Sequence, residues 1–259
     1  MIKSKNYNVV IKYLVLFHLF FIYPSCSTQQ VYISKIEGKK IAIADKLYQN
    51  QSIDDYIKPY RDKIDKDLSE ILAYNPETLD KSGVWQTKIG DLLADVTMEY
   101  GNKIYLKRNN KNIDIILMNH GGIRSILPKG NLTMRNAYQI MPFENSLFIV
   151  DLNGEQILEM CQFIIDEKKP HPIAGLTFNV GVDKKPVNIL IQGKSFEKDK
   201  IYSVGTSDYL SNGGDNMLFF KKNVGMQDMD YKLRNIFIDY LTAVDTVKVN
   251  KNIKISATY

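Results

Sequence analysis

Asn119-His120-Gly121-Gly122-Ile123-Arg124 follows directly on an apolar run, Ile113 to Met118, that reads as a buried strand. Two glycines at a strand end let the backbone turn tightly and approach a ligand closely. Arg124 brings a planar cationic fork of the kind that suits phosphate. Asn119 offers both a donor and an acceptor. A second glycine-rich loop, Ser211-Asn212-Gly213-Gly214-Asp215, follows another strand-like run about ninety residues later. Together the loops point to one polar ligand that carries both phosphate and hydroxyls.

The elements that must position these loops alternate irregularly. A hairpin is expected at Val31–Ile36 and Lys40–Ala44, flanking Gly38. Apolar residues from Ile53 to Leu72 recur at helical spacing, so Ser52 to Tyr74 reads as a long helix charged on one face, with Ser52 as N-cap. Further helices are expected at Thr87–Tyr100, from Thr133 to near Pro142, at Glu155–Glu167 and at Asp228–Ala243. Strands are expected at Ile113–Met118, Ser146–Leu152, Leu176–Val180, Val187–Ile191 and Ile201–Thr206. Strands grouped late in the chain favour an α+β fold, a mixed sheet with packed helices, over a doubly wound one.

Residues 1–25 read as a targeting segment. Lys3, Lys5 and Lys12 precede an apolar run from Tyr13 to Tyr23, too short for the ~20 residues of a spanning helix. Pro24-Ser25-Cys26 stands where cleavage is expected, and Cys26 resembles the lipidated cysteine of a bacterial lipoprotein; an ordinary signal peptide with an incidental cysteine is the alternative. The domain would then run from Cys26 to Tyr259, tethered by its lipid alone. Its place would be the bacterial cell envelope, facing the periplasm in preference to the cell surface. Cys161, the other cysteine, sits in an apolar helical pattern and reads as a buried thiol, although a pairing with Cys26 is open. The formal charge of +5 includes the three leading lysines, and no basic stripe with interleaved aromatics appears. A nucleic-acid polymer is therefore not an expected partner.

Four pieces then carry a resemblance. Ile89-Gly90-Asp91-Leu92-Leu93-Ala94-Asp95 resembles a G-N-L-I-A-D-A helix motif, and Asn119 to Arg124 resembles N-x-G-G-I-R. Met141-Pro142-Phe143-Glu144-Asn145 resembles P-F-x-N, followed by Leu152 to Ile157, and Tyr202-Ser203-Val204 leads into Asp208 to Asp215. In this order they resemble the C-terminal domain of the 5'-nucleotidase / UDP-sugar hydrolase family, over Thr87 to Phe220. The resemblance implies a substrate site. Phe143 and Tyr209 would sandwich the base, Asp215 would accept from ribose hydroxyls, Asn119 would touch the base and Arg124 the phosphate side. Gly121, Gly122, Gly213 and Gly214 would shape the two loops. Each assignment has a plainer alternative: Phe143 as a core aromatic, Tyr209 as a loop cap, Asp215 as an Asx-turn residue, Arg124 as a partner for a surface acid.

Two departures from the family pattern stand out. A further arginine of the family, about seven residues before the glycine of the helix motif, falls on Gly83, with Lys81 nearby. Tyr209 stands where phenylalanine is more usual. The family's metallophosphoesterase motifs, Asp-x-His, Gly-Asn-His-Asp/Glu and Gly-His-x-His, are not found in the sequence. His120 follows an Asn but lacks the flanking Gly and acid of a metal motif, and His171 lies in a proline-stiffened stretch that reads as a solvated turn. The resemblance thus implies a nucleotide or nucleoside ligand of AMP type and no catalytic residue or cofactor in this chain. Divalent metal ions would sit on a separate metallophosphoesterase subunit. The alternatives are a non-catalytic nucleotide- or nucleoside-binding lipoprotein and a surface interaction protein that keeps only the fold.

Overall fold

The computed structural model describes residues 7–19, 32–42 and 50–257. The chain divides into two units, Met1–Asn50 and Gln51–Tyr259. In the first, α1 spans Tyr7–Leu19. Residues 32–42 take no regular secondary structure, and Tyr32, Ile33, Ile36 and Ile41 are all exposed. The expected hairpin is therefore not formed over these residues, as a lone two-stranded ribbon with no buried face is marginal in water. Val31, Ile43, Ala44 and Cys26 lie outside the described residues. Among the described residues no helix is long and apolar enough to cross a membrane.

The second unit begins with α2 (Gln51–Leu68), which buries none of its residues. The chain continues through β1 (Ile71–Asn75), α3 (Lys88–Asn109), β2 (Ile115–Leu117), β3 (Gly130–Thr133), α4 (Met134–Ile140) and β4 (Ser146–Asn153). Next come α5 (Gly154–Glu167), β5 (Ile173–Ala174), β6 (Leu176–Val180), β7 (Pro186–Ile191), β8 (Lys194–Ser195) and β9 (Ile201–Ser207). The last elements are α6 (Asp208–Ser211), β10 (Gly225–Lys232), α7 (Leu233–Ala243) and β11 (Ile255–Ala257). The fold is α+β, with a five-stranded mixed sheet in the order β10-β4-β9-β2-β5 at its centre. A four-stranded sheet, β11-β6-β7-β8, and the ribbon β1-β3 complete it.

Alternation along the central strands divides the core. Ile116, Leu147 and Ile149 join α3, α4 and α7 on one side. Ile115, Leu117, Val150 and Leu152 join α5 and the four-stranded sheet on the other. A period of two puts successive side chains on opposite faces, so apolar runs such as Ile115–Leu117 mark a sheet covered on both sides. The helices start on side-chain caps: Thr87 Oγ1 accepts from Gly90 N at 3.0 Å, and Asn153 Oδ1 from Glu155 N at 3.0 Å. Cys161 is a buried free thiol, its pKa pushed up to about 12 by burial.

Two helix boundaries differ from the sequence expectation, for the same reason. The helix expected over 52–74 stops at Leu68, and Ile71 to Asn75 pairs with Gly130 to Thr133 instead. The helix expected from Asp228 begins at Leu233, because Gly225 to Asp228 pairs with Phe148 to Asp151. In both places helical spacing of apolar residues gives way to a strand partner distant in sequence. Conversely α3 continues nine residues past Tyr100, to Asn109, with Gly101 buried against Ile113 and Leu147.

Candidate functional site

The pairing of the central sheet brings distant residues to one edge. β2 runs parallel to β9, so the loops that follow both strands leave the sheet on the same side. β4 and β5 run antiparallel to these strands, so the segments that precede them arrive at that side. β10 is antiparallel to β4 and ends there, with Lys232 opposite Ser146. Residues 119–124, 142–145, 171–172, 208–215 and 232–234 therefore converge on one edge.

A cavity of about 360 Å³ opens at this edge, lined by Asn119, Gly121, Gly122, Arg124, Phe143, Asn145, Tyr209 and Asp215. That volume is in the range of small-molecule sites. Phe143 is 49% exposed and Tyr209 47%, so both rings present apolar area to the cavity and neither is a core aromatic. Gly214 stands behind Tyr209 and Gly213 lies against Lys221 and Leu218, neither of them lining the cavity. Gly213 has φ +82, a region costly for residues with a Cβ. A Cβ on Gly214 would lie 2.5 Å from the Tyr209 ring, so the ring rests directly on this backbone.

Asp215 is the centre of the polar network. Its Oδ1 accepts from the Tyr209 hydroxyl at 2.8 Å and its Oδ2 from Asn119 Nδ2 at 2.7 Å. Its backbone N donates to the Tyr209 oxygen at 3.1 Å. Asp215 has φ 50, and this reciprocal pair of bonds holds it in the left-handed region. The plainer role for Tyr209, capping its loop through the hydroxyl, is thus present together with its place in the cavity wall.

The opposite flank is cationic. The Arg124 guanidinium lies 5.9 Å from the Phe143 ring centroid and donates to Gly121 O at 3.4 Å. Its backbone N donates to Ile140 O at 2.8 Å, which fixes the loop on the end of α4. Lys81 Nζ donates to Ile123 O at 2.8 Å. Burial, and then the neighbouring Arg124, lower the Lys81 pKa from its ordinary value. Neither cation has a carboxylate partner among the described residues. The missing arginine at Gly83 thus has a nearby cation in Lys81, which enters the same flank from the loop before α3.

His171 is buried, contrary to the solvated turn expected from its flanking prolines. The stretch folds inward because it leads into β5, whose Ile173 pairs with Leu117. His171 Nδ1 accepts from His120 N at 3.3 Å, and burial pushes its pKa down to about 4. Among the described residues no group of three or more His, Cys, Asp or Glu side chains is placed to hold a metal ion. His120 and His171 meet through a backbone donor rather than converging with acids, so these residues do not fit a metal centre.

The family model of the 5'-nucleotidase C-terminal domain matches residues 69–222, more than half of the chain. The chain belongs to the 5'-nucleotidase C-terminal domain family. It is 23% identical over 223 residues to the 5'-nucleotidase of Vibrio parahaemolyticus, covering 83% of this chain and 38% of that protein. Among solved structures it is similar to the 5'-nucleotidase precursor of Thermus thermophilus, with a TM-score of 0.65 at 21% identity, over 80% of this chain and 43% of that one. It is also similar to the NAD nucleotidase of Haemophilus influenzae, with a TM-score of 0.57 at 17% identity, over 81% and 42% of the two chains. The chain therefore spans less than half the length of each of these relatives. At such identities the structural likeness speaks for the fold.

Of the nine binding residues expected from the sequence, seven line the cavity, Gly214 backs the Tyr209 ring, and Gly213 packs against Lys221 and Leu218 outside it. Sequence reading passed over three contributors. Asn145 lies within the quoted P-F-x-N segment but had no role assigned to it. Lys81 was visible only as a lysine near the absent arginine. Arg234 had no signal at all, since its partners lie about ninety residues upstream.

Proposed function

We propose that this domain recognises the nucleotide substrate of a 5'-nucleotidase-type phosphohydrolase in nucleotide catabolism. In this reading a base stacks between Phe143 and Tyr209, which contributes ~1–3 kcal/mol per base and tolerates several bases. A ribose diol donates to Asp215, sharing or replacing the hydrogen bonds of Tyr209 and Asn119. The phosphate faces Arg124, with Lys81 beside it. The observation that carries the proposal is the convergence of the Asp215 carboxylate, two half-exposed rings and the Arg124 guanidinium on one 360 Å³ cavity, with Lys81 held beside it on Ile123 O.

Hydrolysis is assigned to a metallophosphoesterase partner that brings the divalent ions. The described residues hold no cluster suited to them, and two-metal hydrolysis needs such ligands to generate hydroxide and clamp the phosphate. Cys26 would carry the lipid that keeps the domain on the bacterial envelope, facing the periplasm, and bring it together with that partner.

Calorimetric titration with AMP and with adenosine, without added metal, tests the reading. Saturable binding of AMP that is weakened by roughly tenfold or more in Phe143→Ala is the expected result. Binding of neither ligand would overturn nucleotide recognition. Phosphate release from AMP by this chain alone at enzymatic rates would overturn the division of labour. A nucleotide that binds here and is never hydrolysed beside any metallophosphoesterase would leave a binding lipoprotein.

A further inference from the structure

We propose that Arg234 is a positioning residue that fixes Phe143 for stacking. The inference rests on the reading of Phe143 as a base platform and adds a residue that no motif identifies.

Phe143 sits on a five-residue connection between Ile140, the end of α4, and Ser146, the start of β4. Residues 141–145 have no helix or strand to satisfy their carbonyls. With its ring half in solvent, Phe143 has too little packing of its own to hold one direction. Something else must set the backbone from which it projects.

The first residues of α7 and the last of β10 do this. Arg234 Nη1 donates to Met141 O at 3.2 Å and to Phe143 O at 3.5 Å. Its Nη2 pairs with the Glu144 carboxylate. Leu233 N donates to Asn145 O at 2.9 Å. Lys232 Nζ donates to Glu144 O at 2.9 Å and to Ser146 Oγ at 2.8 Å. The carbonyls of residues 141, 143, 144 and 145 are thus all taken by residues 232–234.

Arg234 is the part of this clamp that reaches Phe143 itself. Its side chain is 5% exposed, and its guanidinium lies 4.1 Å over the Tyr138 ring of α4. A planar fork stacked on one face and bonded along its edge has little freedom left. The charge is held between an aromatic face, two carbonyls and one carboxylate, so it transmits the position of α4 and α7 to the loop. A ligand that meets a platform already fixed does not have to order it. Ordering one rotamer-rich side chain on binding costs roughly 0.5–1.5 kcal/mol, which corresponds to roughly two- to tenfold in Kd.

The test is a thermodynamic cycle in the full chain, with Kd for AMP and adenosine by calorimetry and Tm as the control for folding. The variants are Arg234→Gln, Arg234→Lys, Phe143→Ala and the Arg234→Gln/Phe143→Ala pair. Arg234→Gln is expected to weaken both ligands by roughly two- to tenfold, with Arg234→Lys recovering part of the loss. In the Phe143→Ala background Arg234→Gln is expected to cost nothing further, since there is no ring left to position. Wild-type affinity in a folded Arg234→Gln overturns the inference, and so does an equal loss with and without Phe143. Should Arg234→Gln fail to fold, Arg234→Lys carries the same cycle, because it keeps the charge and loses the fork. Phe143→Ala binding AMP as the wild type would overturn the stacking site itself. That result is distinct from one in which Phe143 matters and Arg234 does not.

Discussion

The Tyr209 hydroxyl and Asp215 are bonded in both directions: the hydroxyl donates to the carboxylate at 2.8 Å and accepts from the Asp215 backbone N at 3.1 Å. One side chain therefore supplies a wall of the cavity and locks the left-handed residue opposite it. A phenylalanine at the same place would supply only the wall. The two functions separate by substitution. Tyr209→Phe is expected to keep adenosine affinity within roughly threefold and to lose about 1 kcal/mol of stability, the net worth of one hydrogen bond. Tyr209→Ala is expected to lose affinity by roughly tenfold or more, since stacking goes with the ring. Equal losses of affinity in both variants would mean that the hydroxyl, not the ring, matters to the ligand.

Gly214→Ala approaches the same contact from behind. Its Cβ would fall 2.5 Å from the Tyr209 ring, and the backbone beneath cannot yield without moving the Asp215 loop. Overpacking of this kind costs about 1–3 kcal/mol. A lowered Tm together with weaker AMP binding is the expected pair of results. A lowered Tm with unchanged affinity would show that the ring can shift without consequence for the site.

The pH dependence of stability follows from His171. Its pKa is pushed down to about 4, from 6.5, because burial disfavours the charged ring. The unfolded chain therefore binds more protons than the folded one between those values, so stability falls as pH falls from about 6.5 towards 4 and is unaffected by this group above that window. The loss between pH 7.5 and 5 is about 2 kcal/mol by linkage. Urea unfolding at the two pH values measures it, and His171→Asn is expected to flatten the difference. A slope that persists unchanged in the variant would place the sensitivity elsewhere.

The site was more legible than the frame around it. Asn119 to Arg124 and Ser211 to Asp215 announce themselves locally, because glycines and a charge at a strand end have few other uses. The strands β1, β3 and β10 were not legible, since each exists only through its partner. Ile71–Asn75 continues a helical apolar spacing until Gly130–Thr133 claims it, and Asp228 to Lys232 likewise reads as the first turn of α7. His171 was misread because prolines on both sides are a surface signal, whereas the neighbouring strand β5 carries this stretch inward. Arg234 lies on the same helix as Leu233 and Ile236 and looks like an ordinary polar position. Its meaning depends on carbonyls of a loop that only the β4–β10 pairing brings within reach.

The C-terminal strand is tied to the site edge by a buried ion cluster, and this gives the largest stability effect expected. Lys254 Nζ lies 3.2 Å from Asp91 and 2.8 Å from Asp95, and donates to Ile173 O at 2.7 Å. It thus joins β11 to the first turns of α3 and to β5, the strand that delivers His171 and Pro172. Burial outweighs the pull of Lys254 on Asp91, whose carboxyl sits above its usual range. Lys254→Met would leave that carboxyl buried without its cation, which costs about 3–5 kcal/mol when one partner alone is removed. Adding Asp91→Asn in the same chain removes the stranded charge and is expected to restore part of the loss. Denaturant midpoints of the single and double variants decide it. A double variant no more stable than Lys254→Met would mean that the lysine acts through Ile173 O and Asp95, and that Asp91 is neutral in the folded protein.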